Sequence, residues 1–373
     1  MQNKKLLILS LILLLAMIFS MFSLYIYGNE NTSVSARAAV LYEPVSGEIV
    51  VSKNENAKLP MASTTKIMTA LIAIERLPLD SIVSIPSEAV GIEGSSVYLR
   101  CGDELSVRDL LYSVLLQSAN DAATALAYAV SGDIAEFSRL MSSRAAEMGC
   151  ENTNFENPHG LDSESHYTTA KDLAIIAANA LENDTFRQIC STYKYSFKIS
   201  DAPRTVVNHN KLLKMYDGAI GVKTGYTKKC GRCLVGAAER NGVRLISVTL
   251  DAPDDWRDHR SMLDLGFSLY ENVDPATLSD TVFRVPVVSG TSEYIGAKLE
   301  TRNIKLIAKK NSEPITATVE LPNYIAAPIT LGECIGAVVY RQGDKIIAKA
   351  NIITAENVSL AKRRGRLFSS LFQ

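Results

Sequence analysis

Hydrophobic and polar positions follow two periods along this chain, and each change of period marks an element. Residues 37–42 alternate as a strand does; Pro44, Ser46 and Gly47 make a turn, and residues 48–52 return, so a β-hairpin opens the folded part. Residues 63–75 switch to helical spacing, with Ile67, Ala70, Leu71 and Ile74 on one face. Ser106 and Asp109 have the form of a capping box ahead of an apolar helix at 110–116. A polar break at 118–121 separates it from a helix at 122–130, and amphipathic helices follow at 134–148 and 170–180. Alternation then resumes at 233–238 and 244–250, joined through Asn241 and Gly242, a pair that favours tight hairpins. A helix at 259–270 closes this part. Strand, helices, strands, helix predicts α/β layers: a mostly antiparallel sheet built from both ends of the segment and covered by helices.

From 274 to 355 the helical period is absent. Short strands at 281–287, 304–309, 315–320 and 335–340, separated by turn residues, predict a small all-β domain, a β-sandwich. Residues 358–373 are basic and apolar and read as a helix. Leu360, Leu367, Phe368, Leu371 and Phe372 share one side, and Lys362, Arg363 and Arg366 lie mostly opposite. Arg364 falls in the apolar face and must snorkel, and Gly365 weakens the helix. The expected divisions are 1–36 (leader or anchor with linker), 37–272, 273–356 and a tail at 357–373.

Composition narrows the function classes. The chain has 373 residues, with 39 Lys and Arg against 40 Asp and Glu, a balance that gives no basic face for nucleic acid. Apolar residues make up 47% and charged residues 21%, which fits a real core and excludes a disordered polyelectrolyte. Four His and six scattered Cys have no zinc-like spacing, and the single C-x-x-C, Cys230 and Cys233, has no second pair. Lys4 and Lys5 precede an uncharged apolar run at 6–28. Such a run is either an uncleaved membrane anchor or a signal sequence cut near Val34, Ser35 and Ala36. On both readings the positive residues stay inside and the rest is exported.

The candidate chemistry starts at Ser63 and Lys66. Residues at i and i+3 on a helix meet, so a lysine with a lowered pKa can take the proton of a serine nucleophile. S-x-x-K alone is common: Ser191 and Ser359 match it too, and S-x-N occurs at both Ser52 and Ser118. Lys223-Thr224-Gly225 occurs once, before the 233–250 hairpin. Glycine there allows a substrate backbone to approach closely, and Lys and Thr suit a carboxylate.

In this order, Ser63-x-x-Lys66, Ser118-x-Asn120 and Lys223-Thr224-Gly225 resemble the signature of penicillin-recognising serine enzymes. The surrounding text, PMASTTKIMTA at 60–70, QSANDA at 117–122, NPHGL at 157–161 and GVKTGYT at 221–227, is similar to the D-alanyl-D-alanine carboxypeptidases, the low-molecular-mass penicillin-binding proteins. The resemblance implies their fold, with a small C-terminal all-β domain and a basic amphipathic tail. It implies that Ser63 attacks the carbonyl between two D-alanines of a peptidoglycan stem peptide, with Lys66 as base. Ser118 would relay a proton to the departing D-alanine, and Asn120 would position the substrate amide or Lys66. Lys223 and Thr224 would bind the terminal carboxylate, and the backbone N–H groups of Ser63 and Tyr226, beside Gly225, would form the oxyanion hole. β-Lactams would acylate Ser63; no metal or cofactor is implied. The enzyme would work at the outer face of a bacterial cytoplasmic membrane, held there by the tail and, if uncleaved, the N-terminal run. Ala119 and Tyr226 stand where many relatives have Gly and His, and Arg257 is a candidate for an arginine that many relatives carry after the hairpin.

D,D-endopeptidase activity, a β-lactamase and a non-catalytic peptidoglycan-binding protein are the rival readings. No Glu-x-x-Leu-Asn-like segment follows Ser118 to serve a β-lactamase, and the intact serines and lysines oppose a silent binder. His159 reads as a loop-structuring residue, and His166, His209 and His259 as structural ones. Asp254 and Asp255 read as a solvated turn or helix cap. Cys230 and Cys233 are expected as two thiols, the alternative being a loop disulfide or a redox pair.

Overall fold

The computed structural model describes residues 33–273, 282–300 and 306–361. The apolar run at 6–28 and the tail from 362 onward lie outside these residues. Among the described residues no helix is long and apolar enough to cross a membrane.

In chain order, the hairpin β1 (Ala38–Glu43) and β2 (Glu48–Lys53) leads to a 3-10 turn (Ala62–Thr65) and α1 (Lys66–Arg76). A ribbon of β3 (Ile82–Ser84) and β4 (Glu104–Ser106) precedes α2 (Val107–Leu116), α3 (Asn120–Ser131), α4 (Ile134–Glu147), α5 (Ala170–Glu182) and α6 (Asp184–Ser191). A second ribbon, β5 (Lys194–Ile199) and β6 (Ala202–Val207), and the short α7 (Leu212–Met215) lead to β7 (Ala219–Thr227), β8 (Gly231–Arg240), β9 (Val243–Leu250), α8 (Asp255–Leu269) and β10 (Tyr270–Val273). The remainder is all β: β11 (Val282–Val288), β12 (Tyr294–Leu299), β13 (Leu306–Lys309), β14 (Ile315–Glu320), β15 (Ile325–Ala326), β16 (Cys334–Gln342) and β17 (Lys345–Thr354).

The main sheet runs β2-β1-β9-β8-β7, every pair antiparallel, so both ends of the segment build it as the pattern predicts. Strand periodicity explains its two cores. Ala38 and Val40 join one cluster with Val248 and the helices α1, α2, α3 and α5; Ala39 and Leu41 join the other with Leu245, Met262 and Leu263 of α8. With both faces covered, β9 is buried along its whole length. Helix α1 is buried from Lys66 to Ala73 and forms the centre of the helical layer. Ser106 caps α2 by accepting from Asp109 N at 3.1 Å, as its sequence predicts. The β8–β9 turn places Asn241 and Gly242 at φ 51° and 81°, the left-handed pair that suits strand twist.

Three expectations change. The helix predicted from Ser63 begins at Lys66, because Thr64 and Thr65 donate to the carbonyls of Met61 and Ala62 and hold the preceding residues in a 3-10 turn. Val358 does not open a helix: it bridges Ile329, with Leu360 bridging Gly290, and it is buried in the all-β part. Val34 and Ala36 are buried in the main fold rather than lying in a linker, and Ser35 N and Oγ both donate to Asp258.

The two parts are tied at one edge. β10 continues from α8 and pairs with β13, and Glu48 on β2 pairs with Lys309 and Lys345. Burial pushes the Glu48 carboxyl up, but the two ammonium groups more than offset it and hold it below the usual range. Its pairing therefore adds stability above the unfolded pKa of about 4.3, and that stability is lost as pH falls through the lower folded value. Glu48→Gln should cost roughly 1 kcal/mol in urea unfolding at pH 7. The same comparison at pH 3 should show the difference shrinking towards zero; an undiminished difference there would mean that charge pairing is not what Glu48 contributes.

Candidate active site

Three chain segments far apart in sequence meet at the amine of Lys66. Its Nζ lies 3.0 Å from Ser63 Oγ, 2.6 Å from Asn120 Oδ1 and 2.5 Å from the carbonyl oxygen of His159. Ser63 reaches it because residues i and i+3 of a 3-10 turn eclipse one another. Asn120 is the first residue of α3; its N–H donates to Ser95 O at 2.7 Å and its Nδ2 to Glu93 O at 2.5 Å, which fixes the amide with Oδ1 towards the lysine. Ser118, at φ 63°, sits in the break just before α3. Asp121, buried, accepts from Ser96 Oγ and from the N–H groups of Val97 and Leu99, and so holds the loop that Asn120 leans on.

The His159 carbonyl is placed by glycine. Gly160, at φ 89°, packs so closely on the Ser63 turn that an added Cβ would lie 1.9 Å from Ala62 O. Asn157 Oδ1 accepts from Gly160 N at 2.7 Å, and Thr69 Oγ1 donates to Pro158 O at 2.6 Å. His166 braces the turn from the other side. Its Nδ1 accepts from Glu156 N at 3.0 Å, so Nε2 carries the proton and donates to Thr65 Oγ1, 2.7 Å away. Burial keeps both rings neutral, His166 down to about 4 and His159 to about 3. These histidines hold loops, as the sequence suggests, and it is the backbone of His159 that meets Lys66. His259 is buried between Ser247 and Thr249 and is hydrogen-bonded to both.

Lys223, Thr224 and Gly225 lie on β7, the edge strand of the main sheet. Gly225 lets the strand touch the Ser63 turn: a Cβ there would be 3.0 Å from Ser63 N. Lys223 is buried, donates to Thr224 O at 2.8 Å, and is lowered by burial to about 7. Lys66 is held well below the ordinary lysine range by burial first and by the Lys223 charge second, against an opposing pull from Asp121.

A cleft of about 370 Å³ opens over Ser63, Ser118, Thr224 and Tyr226. Arg232, Lys211 and Trp256 also line it, and sequence reading singled out none of them. Arg232 lies opposite Tyr226 across the β7–β8 pair, and its guanidinium is clamped by buried Asp255 at 2.9 and 3.0 Å. The lining residues with carboxylates are thus reduced to Asp255, which is committed to that clamp rather than poised over Ser63. Asp254 and Asp255 are expected in a solvated turn or a helix cap: Asp254 does stand at the cap position of α8, whereas Asp255, its first residue, is not solvated but buried beneath Arg232. Arg257 faces a neighbouring hollow and pairs with Asp254, so it does not reach this cleft. The other S-x-x-K match in described residues is not an active pair: Ser191 Oγ donates to Gln188 O at the end of α6. Among the described residues no cluster of His, Cys, Asp or Glu could hold a metal ion.

A family model described as D-alanyl-D-alanine carboxypeptidase matches residues 27–254, and one described as penicillin-binding protein 5, C-terminal domain, matches residues 270–359. The D-alanyl-D-alanine carboxypeptidase DacF of Bacillus subtilis is 33% identical over 338 residues, 87% of this chain and 86% of its own. DacC of Escherichia coli, with the same description, is 31% identical over 91% of this chain and 88% of its own. Among solved structures, penicillin-binding protein 5 from Haemophilus influenzae superposes with a TM-score of 0.72 at 29% identity, covering 88% of this chain and 98% of that one.

Proposed function

The chain belongs to the D-alanyl-D-alanine carboxypeptidase family, and from that premise we propose how its residues carry the reaction. It is a serine-type carboxypeptidase, a hydrolase of the penicillin-binding kind. Its substrates are peptidoglycan stem peptides ending in D-Ala-D-Ala, and β-lactams are the inhibitors that mimic them.

The observation that carries the mechanism is the set of three neighbours around Lys66. A neutral amine has two N–H bonds and one lone pair. Asn120 Oδ1 and His159 O take the two protons, which leaves the lone pair facing Ser63 Oγ at 3.0 Å. Lys66 removes the hydroxyl proton as Oγ attacks the carbonyl carbon between the two D-alanines. The N–H groups of Ser63 and Tyr226 receive the developing oxyanion. The stem peptide lies along the edge of β7 as an added strand, which Gly225 leaves room for. Ser118 passes the proton to the departing D-alanine nitrogen, and water then releases the shortened peptide from Ser63.

Two cations divide the remaining work. Lys223 is too deeply buried to meet a ligand end-on, so it acts on Lys66 by repulsion and adds positive potential behind Thr224. Thr224 and the exposed face of Arg232 take the terminal carboxylate, since a guanidinium stays charged at every working pH.

We place the enzyme at the outer face of a bacterial cytoplasmic membrane. Support comes from the apolar run at 6–28 and the basic amphipathic tail. Because Val34, Ala36 and Val358 belong to the fold, the clean test removes only residues 1–32, then 362–373 as well. The second deletion should weaken binding to anionic vesicles, and salt should weaken binding of the longer form. Equal binding by both forms would show that the tail is no anchor.

The function itself is tested by incubating the protein with a peptide ending in D-Ala-D-Ala and measuring released D-alanine. Mass spectrometry of a penicillin adduct should place it on Ser63. An adduct on Ser191 or Ser359, or hydrolysis of nitrocefin with no release of D-alanine, would overturn the assignment.

Lys223→Ala should move the acid limb of the pH–rate profile upward, and below that limb kcat/KM should fall by about tenfold for each unit it moves. The sign follows from charge: the limb reports protonation of Lys66, and removing a neighbouring positive charge makes that amine more basic. Arg232→Ala should leave the limb in place and instead erase the preference for a free over an amidated C-terminus. Swapped outcomes would reverse the two roles.

A further inference from the structure

Two cysteines that the reaction does not use touch each other beside its substrate-binding strand. Cys230 ends the turn between β7 and β8, and Cys233 lies in β8 directly opposite Gly225. Both are buried, and their sulfurs are 3.6 Å apart. The pair is wired to both halves of the acylation machinery. Cys230 N–H donates to Thr227 Oγ1, which donates to Asp162 Oδ1 just beyond the loop that holds Lys66. Cys233 Sγ lies 3.9 Å from Pro60 O, at the entry to the Ser63 turn.

The two thiols are unequal. The hydrogen bond from Cys233 outweighs burial at Cys230 and brings its thiol down to about 7, whereas Cys233 is pushed up by its partner and by burial. Cys230 is thus the thiol that ionises more readily, and Cys233 the resolving thiol beside it. At 3.6 Å the two sulfurs are placed to pair with each other.

We propose that Cys230 and Cys233 are a reversible modification site, closed to a disulfide by exchange with an oxidised thiol compound, and that closure slows acylation of Ser63. The Cys230 thiolate attacks one sulfur of a disulfide X–S–S–Y, and Y leaves as a thiolate. Cys233 then loses its proton and attacks Cys230 Sγ, and X leaves as the second thiolate. The two cysteines are oxidised by two electrons, X–S–S–Y is reduced, and the two protons go to its thiolates. An S–S bond is about 2.05 Å long, so the sulfurs must approach by roughly 1.5 Å. Cys233 is fixed in β8 between its neighbours, so the turn bearing Cys230 moves. That movement pulls on Thr227, adjacent to Tyr226. The effect on rate rests on the proposed reading of Tyr226 N–H as an oxyanion donor.

The test uses the full chain, reduced or treated with oxidised glutathione. Because Cys101 and Cys334 are exposed thiols, both are first changed to Ser, and peptide mass mapping then reads closure at Cys230 and Cys233, which removes two hydrogens, about 2 Da. The acylation rate with a fluorescent penicillin reads the consequence. Closure should slow acylation by at least about tenfold, given the 10²–10³ that losing an oxyanion donor costs. Dithiothreitol should restore the rate. Cys230→Ser and Cys230→Ala should acylate like the reduced protein and ignore the oxidant. Cys230 and Cys233 thiols that stay free, a stable glutathione adduct on either of those two, or a closed disulfide with an unchanged rate would each overturn the proposal. Failure of the reduced protein to take penicillin at Ser63 is a different result: it speaks against the catalytic reading, and the thiol count alone then judges the dithiol.

Discussion

Burying one amine without a counter-ion is the constraint around which this molecule is arranged. Lys66 is fully enclosed, at the start of a helix whose next seven residues are also buried. A charged ammonium in such a place is costly, and the enclosure answers with acceptors and with a lowered pKa rather than with a carboxylate in contact. A carboxylate hydrogen-bonded to the amine would stabilise the charged form and remove the lone pair that the reaction needs. Asp121 is close enough to pull in that direction, but its oxygens are occupied by Ser96 Oγ and the backbone of Val97 and Leu99. The amide of Asn120 and the carbonyl of His159 satisfy the protons of the amine while leaving it free to be neutral.

Each of those acceptors is held by its own network, and the networks explain residues that touch no substrate. His166, neutral and doubly hydrogen-bonded, links the 156 backbone to Thr65 and so to the Ser63 turn. Gly160 is required because the loop carrying His159 presses on the carbonyl of Ala62. Ala62 itself has φ 45°, an uncommon conformation for a residue with a side chain. Hydrogen bonds from Thr64 and Thr65 hold the turn around it. Strain of this kind persists only where the surroundings overdetermine it, and here threonine hydroxyls, a histidine and a glycine loop do so together.

The parts of this design that sequence revealed were those written in short-range patterns. Ser63, Lys66, Ser118, Asn120 and Lys223-Thr224-Gly225 stand in ordered motifs, and the alternating runs around Asn241 and Gly242 announce the central hairpins. What stayed hidden depends on partners distant in the chain. Arg232 looks like any surface arginine until the β7–β8 register sets it across from Tyr226 and α8 brings Asp255 beneath it. The ribbon β5–β6 carries exposed residues on alternate positions with no strong apolar signal, and it is held in part by Tyr195, which stacks on Tyr112 at 3.7 Å and donates to Asp109. The expected helix at Val358 failed for a similar reason. Periodicity read through to the tail, while a bridge to Ile329 and a place in the apolar cluster around Val285 and Ile295 decided the local conformation.

Distance along the chain also decides what kind of object the site is. Lys66 finds Asn120 across 54 residues and His159 across 93, and the wall with Gly225 and Tyr226 comes from a strand later still. None of these contacts forms within one supersecondary unit, so no fragment can carry a weakened version of the site. The loop-closure entropy of bringing such segments together is met only when the sheet and the helical layer close as one. The amine is held below the ordinary lysine range only while its enclosure is complete, because a partly opened domain readmits water and restores ordinary lysine basicity. On the proposed mechanism, reactivity at Ser63 is therefore coupled to the closed state of the entire α/β part. The same mechanism implies that local openings which barely change the hydrogen-bonded core silence the serine as long as they let water reach Lys66.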